Sequence, residues 1–405
     1  MRIADVRLTT TGARRRLSAT ATWEAIDRPA EDIWFEVPEE HGDHLAAVGD
    51  PFLVGASVLA MLAGERRLVV EDACPELAEG VRTALAWLTQ WYPAEASSIE
   101  IETSSFTQRV VQERHAGSLL SGGVDSLAVL KRNHDRLPEG HPSRIGTCIL
   151  VDWNAGSDRA IERSASEAIE AKRQSLEACV QSRGVRLVPV YSNLLSLRDY
   201  PRVPWWGRMI HGLAFGAAAH ALAGGLHTVY IASSYDVEHL GPWGSHPLVD
   251  FNLRSGTPSF VHDGIRLSRF ERTAAIADWP EALDVLSVCV GPYSVRADRR
   301  NCGRCEKCVR TALSLLALGK LDGVPSLGWA SVSRESVERV RVTSDVVASF
   351  WIDLAAGLRA NAFDDLASMA ERKVSAFKRR KALHSLDSRL LRGAGAALVR
   401  RVRQR

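Results

Sequence analysis

With 405 residues, 46% of them hydrophobic and 24% charged, the chain can bury a substantial core and is expected to divide into two or three domains, which excludes a disordered tail or a disulfide mini-protein. Lys and Arg number 51 against 48 acidic residues, yet residues 371–405 hold twelve basic and two acidic side chains, leaving residues 1–370 with 39 basic against 46 acidic groups, a net of −7. The positive charge therefore belongs to the tail. The seven cysteines are few and odd in number, and four of them fall between positions 289 and 308, a metal-ligand distribution expected of a reducing compartment. The opening MRIADVRLTTTGARRRL alternates polar and apolar residues without an apolar core or a small-residue cleavage site, so it reads as a strand, and a cytoplasmic location is expected. The most apolar stretch, 211–232, is broken by Gly216, Gly224, Gly225 and three histidines and predicts a buried helix and strand, with no membrane association.

Residues 1–112 predict an α+β domain: strands RIADVRLTT, RLSATATWEA and DIWFEVP, a helix over 51–62, strand RRLVVED, a helix over 76–91 and strand SIEIETS. Residues 113–322 change character, with strands GSLL, TCILVDW, RLVPVYS and HTVYIASS alternating with helices from 126, over 158–182 and over 208–223. That alternation predicts an α/β unit whose parallel sheet is covered on both faces. Residues 323–405 read as a helical, basic extension, with helices over 334–342, 344–360 and 363–383 and a final LVRRVRQR.

The sharpest local signal is Ser121-Gly122-Gly123-Val124-Asp125-Ser126, after an apolar strand and at the head of a helix. Two glycines let the backbone turn tightly and aim N–H groups inward, two hydroxyls add donors, and the helix N-terminus adds partial positive charge. Together they predict a cradle for pyrophosphate, with Val124 inside the turn. Asp125 is a poor phosphate ligand but a suitable ligand for a bridging Mg²⁺. The loop is neither a Walker A motif nor a dinucleotide fingerprint. SGGVDS after a strand resembles the PP-loop of the ATP pyrophosphatase superfamily, which implies an adenine nucleotide alpha hydrolase-like fold. It also implies cleavage of ATP between the α- and β-phosphates to adenylate a substrate oxygen. The alternative is an ordinary strand-to-helix turn with Ser126 near the cap.

Cys302, Cys305 and Cys308 offer three thiolates at two-residue spacing, and Cys289 can supply a fourth. Four sulfurs suit tetrahedral Zn²⁺, a closed and structural site; a redox thiol pair or an iron–sulfur cluster is the competing reading. Cys74, Cys148 and Cys179 sit among apolar neighbours and read as buried free thiols. A PP-loop followed by C-x12-C-x2-C-x2-C is similar to 7-cyano-7-deazaguanine synthases and their relatives, over about residues 115–320. The resemblance implies ATP activation of a carboxylate as an acyl-adenylate, displacement of AMP by ammonia to give an amide, and a second activation to a nitrile.

Residues 233–254 are too polar and rich in Gly and Pro for core and should emerge beside the loop at the carboxyl ends of the strands. Ser233, Ser234, Tyr235, Trp243, Ser245, His246 and Asp250 are the candidate substrate contacts, and His246 can accept a proton from an attacking amine; the bland alternative is an ordered loop anchored by Trp243. LSRFERTAAIA resembles the stretch where PP-loop enzymes carry a basic residue before a helix, which implies that Arg269, or Arg272 in its place, neutralises the leaving pyrophosphate. Arginine stands where lysine is usual, so the role is electrostatic. The resemblance also implies that Val151 and Asp152, ending the second strand, hold adenine through backbone groups. Arg208 and His211, three apart, can share a helix face.

The expected function is an ATP-dependent, AMP- and pyrophosphate-forming ligase that activates a carboxylate or carbonyl oxygen of a small molecule or peptide for ammonia or an amine. A partner protein can dock through residues 1–112, and the tail is too poor in aromatics to favour RNA. The alternatives are a PP-loop tRNA thiolase, which needs a reactive cysteine, and a non-catalytic nucleotide-binding, zinc-stabilised interaction module.

Overall fold

The computed structural model describes residues 1–106, 115–155, 160–196, 205–289, 300–328 and 331–390. The expected tail LVRRVRQR, the end of the first domain beyond 106, and the start of the helix expected over 158–182 lie outside the described residues. The strands are β1 (Arg2–Thr11), β2 (Arg14–Thr22), β3 (Glu31–Pro38), β4 (Arg67–Val70), β5 (Glu100–Thr103), β6 (His115–Leu119), β7 (Ile145–Asp152), β8 (Arg186–Ser192), β9 (Leu226–Ala232) and β10 (Ser259–Asp263). The helices are α1 (Asp50–Leu62), α2 (Pro75–Trp91), α3 (Val124–Arg136), α4 (Ala160–Gln181), α5 (His211–Ala221), α6 (Pro247–Asp250), α7 (Arg269–Ile276), α8 (Pro280–Val285), α9 (Glu306–Ala317), α10 (Arg334–Arg339), α11 (Asp345–Ala360) and α12 (Asp364–Leu390).

This is an α/β protein with one mixed, largely parallel ten-stranded sheet, in the order β10-β9-β6-β7-β8-β3-β2-β1-β4-β5, followed by C-terminal helices. The run β10-β9-β6-β7-β8 is parallel, as the alternation predicted, whereas β8, β3, β2 and β1 pair antiparallel. The first three strands therefore continue the central sheet. Phe35 and Glu36 of β3 face Ser192 and Tyr191 of β8, and the short junction is clasped by side chains. Asn193 Oδ1 accepts from Trp34 N–H at 2.9 Å, its Nδ2 donates to Asp32 O at 2.7 Å, and Ser192 Oγ donates to Trp34 O at 2.8 Å.

Period-two alternation feeds two cores from one sheet. On one face Ile149, Val188, Val190, Val229 and Ile231 join α1, α2 and α5 in a cluster that also takes Ile3, Leu17, Ile33 and Phe35. On the other, Ile145, Cys148, Leu150, Leu187 and Tyr230 pack with α3, α4, α8 and the Cys308, Ala312, Leu315 stripe of α9. The opposite stripe of α9, Val309, Leu313 and Ala317, enters a third cluster with Trp351, Leu354 and Leu358 of α11 and Ala370 and Val374 of α12. One amphipathic helix is thus the common wall between the sheet unit and the C-terminal helices. The helix expected over 208–223 begins with a turn of π-helix, Trp206–Ile210, and the strand β10 was not apparent from the sequence.

Close backbone approach fixes α2. A Cβ on Gly80 would stand 1.8 Å from the carbonyl oxygen of Asn252, a contact that must push the 251–253 turn away. Gly80→Ala is expected to cost about 2 kcal/mol despite its better helix propensity, since overpacking costs of order 1–3 kcal/mol; urea denaturation monitored by circular dichroism measures it.

Candidate functional site

The sheet order places the site. Connections from β6 run one way to β7 and β8, while β9 and β10 lie on the other side, so a switch point falls beside β6, where open α/β sheets take ligands. The 121–126 loop leaves β6 there, and the 233–254 segment leaves β9.

The loop is built by its own side chains. Gly122 adopts φ +74, a left-handed conformation that favours glycine, and its carbonyl accepts from Ser287 N–H at 2.8 Å. Gly123 is the extended cap residue of α3. Ser126 Oγ donates to Gly123 O at 3.1 Å and accepts from Ser121 N–H at 3.2 Å; Ser121 Oγ accepts from Gly123 N–H at 3.3 Å. The two serines thus brace the turn. The first N–H groups of α3 have no partner within the helix, as at any helix start. Lys172 of α4 donates from Nζ to Ser121 O at 3.1 Å, and burial, with the nearby charge of Arg300, lowers its pKa to about 8.

Asp125 faces two guanidiniums from one helix. The sequence Ser268-Arg-Phe-Glu271 forms a reciprocal capping box that starts α7, and the i, i+3 spacing of Arg269 and Arg272 puts both on one face. Arg269 Nη2 lies 2.9 Å from Asp125 Oδ2, and Arg272 Nη1 lies 3.0 Å from Asp125 Oδ1. Arg272, only 2% exposed, also donates to Ser233 O at 2.8 Å and Gly264 O at 3.1 Å, tying together the exits of β6, β9 and β10. Burial lowers the Arg269 pKa to about 10 against the opposing pull of Asp125. The Nε atoms of Arg269 and Arg272 are buried donors without a hydrogen-bond partner among the described residues. A group of cations with donors to spare fits an anion.

The four cysteines converge. The sulfurs of Cys289, Cys302, Cys305 and Cys308 all lie within 4.8 Å of one another, with Cys305 to Cys308 at 3.4 Å, Cys302 to Cys308 at 3.9 Å and Cys305 to Cys289 at 3.9 Å. A tetrahedral ion with metal–sulfur bonds of about 2.3 Å has sulfur–sulfur edges of about 3.8 Å, so the set can hold a metal ion. The hydrogen bond with Cys308 draws the Cys305 thiol down to about 5, toward the thiolate that a metal requires. Asn301, buried, holds the two halves together: its Oδ1 accepts from Val288 and Cys289 N–H at 2.8 and 3.3 Å, and its Nδ2 donates to Leu286 O and Ser326 O at 2.8 and 2.9 Å. Asn301 gives no signal in the sequence, because an isolated asparagine beside a cysteine carries no pattern.

The 233–254 candidates separate into two groups. Ser233, whose N–H donates to Asp263 O at 2.8 Å, and Ser234 form the turn out of β9 beside Arg272. Tyr235 stacks on Phe350 of α11 at 6.1 Å and meets Trp243 edge-on at 5.7 Å; Trp243 in turn meets His211 at 5.8 Å. Ser245, His246 and Asp250 instead join the packing under α2. Ser245 Oγ and His262 Nδ1 both bond Asp250 Oδ2, at 2.7 and 2.6 Å, while His246 caps α6 by accepting from Leu248 N–H at 3.0 Å and meets Trp91 edge-on. Val151 pairs with Val190 inside the sheet, and buried Asp152, its pKa raised by desolvation, accepts from Asn154 N–H at 3.0 Å. Arg208 turns to Glu95 at 3.2 Å and stacks 4.2 Å from Tyr92. Lys172, Lys307, Arg310 and Phe350 carry no signal in the sequence, since each is an ordinary helix residue there.

In comparisons with protein-family models, curated proteins and solved structures, nothing matches this chain. Among the described residues, no helix is long and apolar enough to cross a membrane.

Because Asn301 orients Cys289 through two N–H bonds, Asn301→Ala is expected to weaken metal retention about 10- to 100-fold, the usual cost of removing a ligand-orienting partner. Cys305→Ser should lose the metal outright and melt several degrees lower. Elemental analysis after dialysis against graded chelator, with a thermal melt, checks both.

Proposed function

We propose that this protein is an adenylating enzyme of the PP-loop type that uses Mg-ATP to activate a carboxylate or carbonyl oxygen for attack by ammonia or an amine, with AMP and pyrophosphate as by-products. The observation that carries this reading is the clustering at the sheet's switch point. A braced SGGVDS turn, a helix start and the Arg269 and Arg272 guanidiniums meet around Asp125. Arginines aimed at a departing pyrophosphate stabilise charge that develops only as the bond to AMP breaks, which is how such a site accelerates the step. Gly122, Gly123, Ser121 and Ser126 shape the phosphate cradle, and Asp125, whose oxygens pair with Arg269 and Arg272, would hold Mg²⁺ by exchanging those pairs, which would free both guanidiniums for phosphate oxygens. Mg²⁺ held there would offset the negative charge of the phosphates.

The substrate contacts narrow to Ser233, Ser234, Tyr235 and Trp243, which lie on the loop's side of the 233–254 segment. Zn²⁺ is the metal proposed for the four cysteines, closed to substrate and structural in role, in a cytoplasmic protein. The thiolase reading needs an exposed, activated thiol. Cys148 is fully buried and its pKa is pushed far up by desolvation, and Cys179 is pushed up to about 12, so both are poor nucleophiles.

Asp125→Asn is expected to abolish release of AMP and pyrophosphate from Mg-ATP, measured by chromatography with a panel of carboxylate acceptors; turnover that survives it refutes the Mg²⁺ role. The variant also leaves two arginines unpaired, so a thermal melt accompanies the assay. Lys172 carries its charge below about pH 8 and loses it above. Pyrophosphate affinity is therefore expected to fall as pH rises through 8, and Lys172→Met should weaken binding at pH 7 and flatten that step, as read by calorimetry.

A further inference from the structure

We propose that Lys307 and Arg310, carried on the helix that grows out of the cysteine cluster, belong to the same polyphosphate site as Arg269, so that the cysteine-bound metal sets how tightly a di- or triphosphate is held. This deepens the adenylation reading and rests on it only for the identity of the ligand.

The first link is local. Cys305 is the extended cap residue of α9, and Lys307 lies between Cys305 and Cys308, whose sulfurs are 3.4 Å apart. The three-residue step from Lys307 to Arg310 puts both on one face of the first turns. Whatever anchors the three cysteines therefore anchors these two cations.

The second link is to the loop. Arg310 is buried, with Nε bonded to Glu306 Oε1 at 2.7 Å, and the indole N–H of Trp351 donates to the same oxygen at 2.8 Å. The Arg310 guanidinium stands 4.6 Å from the centre of the Phe350 ring, and the Arg269 guanidinium stands 5.3 Å from the same ring. Two like charges share one aromatic ring. Lys307 is exposed, one turn before Arg310 on the same helix face.

The third link is an imbalance. Among the described residues, Arg269 and Arg272 share one carboxylate, Asp125, and Arg310 pairs with Glu306, while Lys307 on the face of Arg310 adds a fourth positive charge. The unpartnered Nε donors of Arg269 and Arg272 lie within this group. Buried cations are expensive unless paired and hydrogen-bonded, so the group is built to receive a multiply charged anion with several acceptor oxygens. Pyrophosphate or the tail of a nucleoside triphosphate meets both needs, and exposed Lys307 marks the side from which it enters.

Calorimetric titration of the full chain with inorganic pyrophosphate tests this. Lys307→Gln is expected to weaken binding at least tenfold without changing the melting temperature, and Lys307→Arg to restore most of it. Stripping the metal from the wild type should weaken binding by at least as much, and stripping it from Lys307→Gln should add little, since both remove the same cation. Lys307→Gln that binds within twofold of wild type overturns the proposal, as does metal-free protein that stays folded and keeps full affinity. The two readings separate. Pyrophosphate binding that depends on Lys307, without AMP release from ATP and any acceptor, supports the site and removes the adenylation reading; AMP release with binding indifferent to Lys307 does the reverse. A wild type that binds no pyrophosphate overturns the proposal at once.

Discussion

The ion pairs of Asp125 with Arg269 and Arg272 are the constraint on which the candidate site depends. They join a residue in the first turn of α3 to Arg272, 147 residues further on, and to Arg269 beside it, in a place where the arginines, left unpaired, would be buried charges. Arg272 extends the tie to the carbonyls of Ser233 and Gly264, so three strand exits are held in register by one side chain. A capping box at Ser268 and Glu271 aims that helix, and the geometry of the loop is inseparable from it.

The second organising element is α9. Its N-terminal turn carries two of the four cysteines' close approach, one of its stripes packs against the sheet unit, and the other packs against α11 and α12. Phe350, on α11, then reaches back to cover Arg269 and Arg310. The C-terminal helices are consequently part of the wall around the loop, although nothing in their own sequence advertises a site.

What the letters disclosed follows from how local each signal is. The cysteine set was legible because ligand spacing is a property of short segments, and the central parallel strands were legible because buried β-branched runs alternate with long amphipathic helices. The antiparallel junction of β3 with β8 was not: it rests on two residue pairs and on Asn193, which resembles any turn asparagine. Strand β10 escaped because SFVHD is short and polar, and its place in the sheet comes from pairing with β9. The grouping of Ser245, His246 and Asp250 with Trp91 and His262 was likewise invisible, since it is made by contacts between distant segments. By contrast, the S-x-x-E pattern of Ser268 and Glu271 could have announced the start of α7 and the shared face of its two arginines.

The clasp of β3 on β8 has a consequence for how this molecule behaves in a crowd. Strands at a sheet margin present unpaired amide groups that can template pairing with a neighbouring chain. By recruiting the first three strands, the sheet covers the end of β8 at Tyr191 and Ser192, and among the described residues its outermost members are β10, five residues long, and β5, four residues long. The ten strands thus end in two stubs, each of which offers a neighbouring chain only four or five residues of backbone to grip.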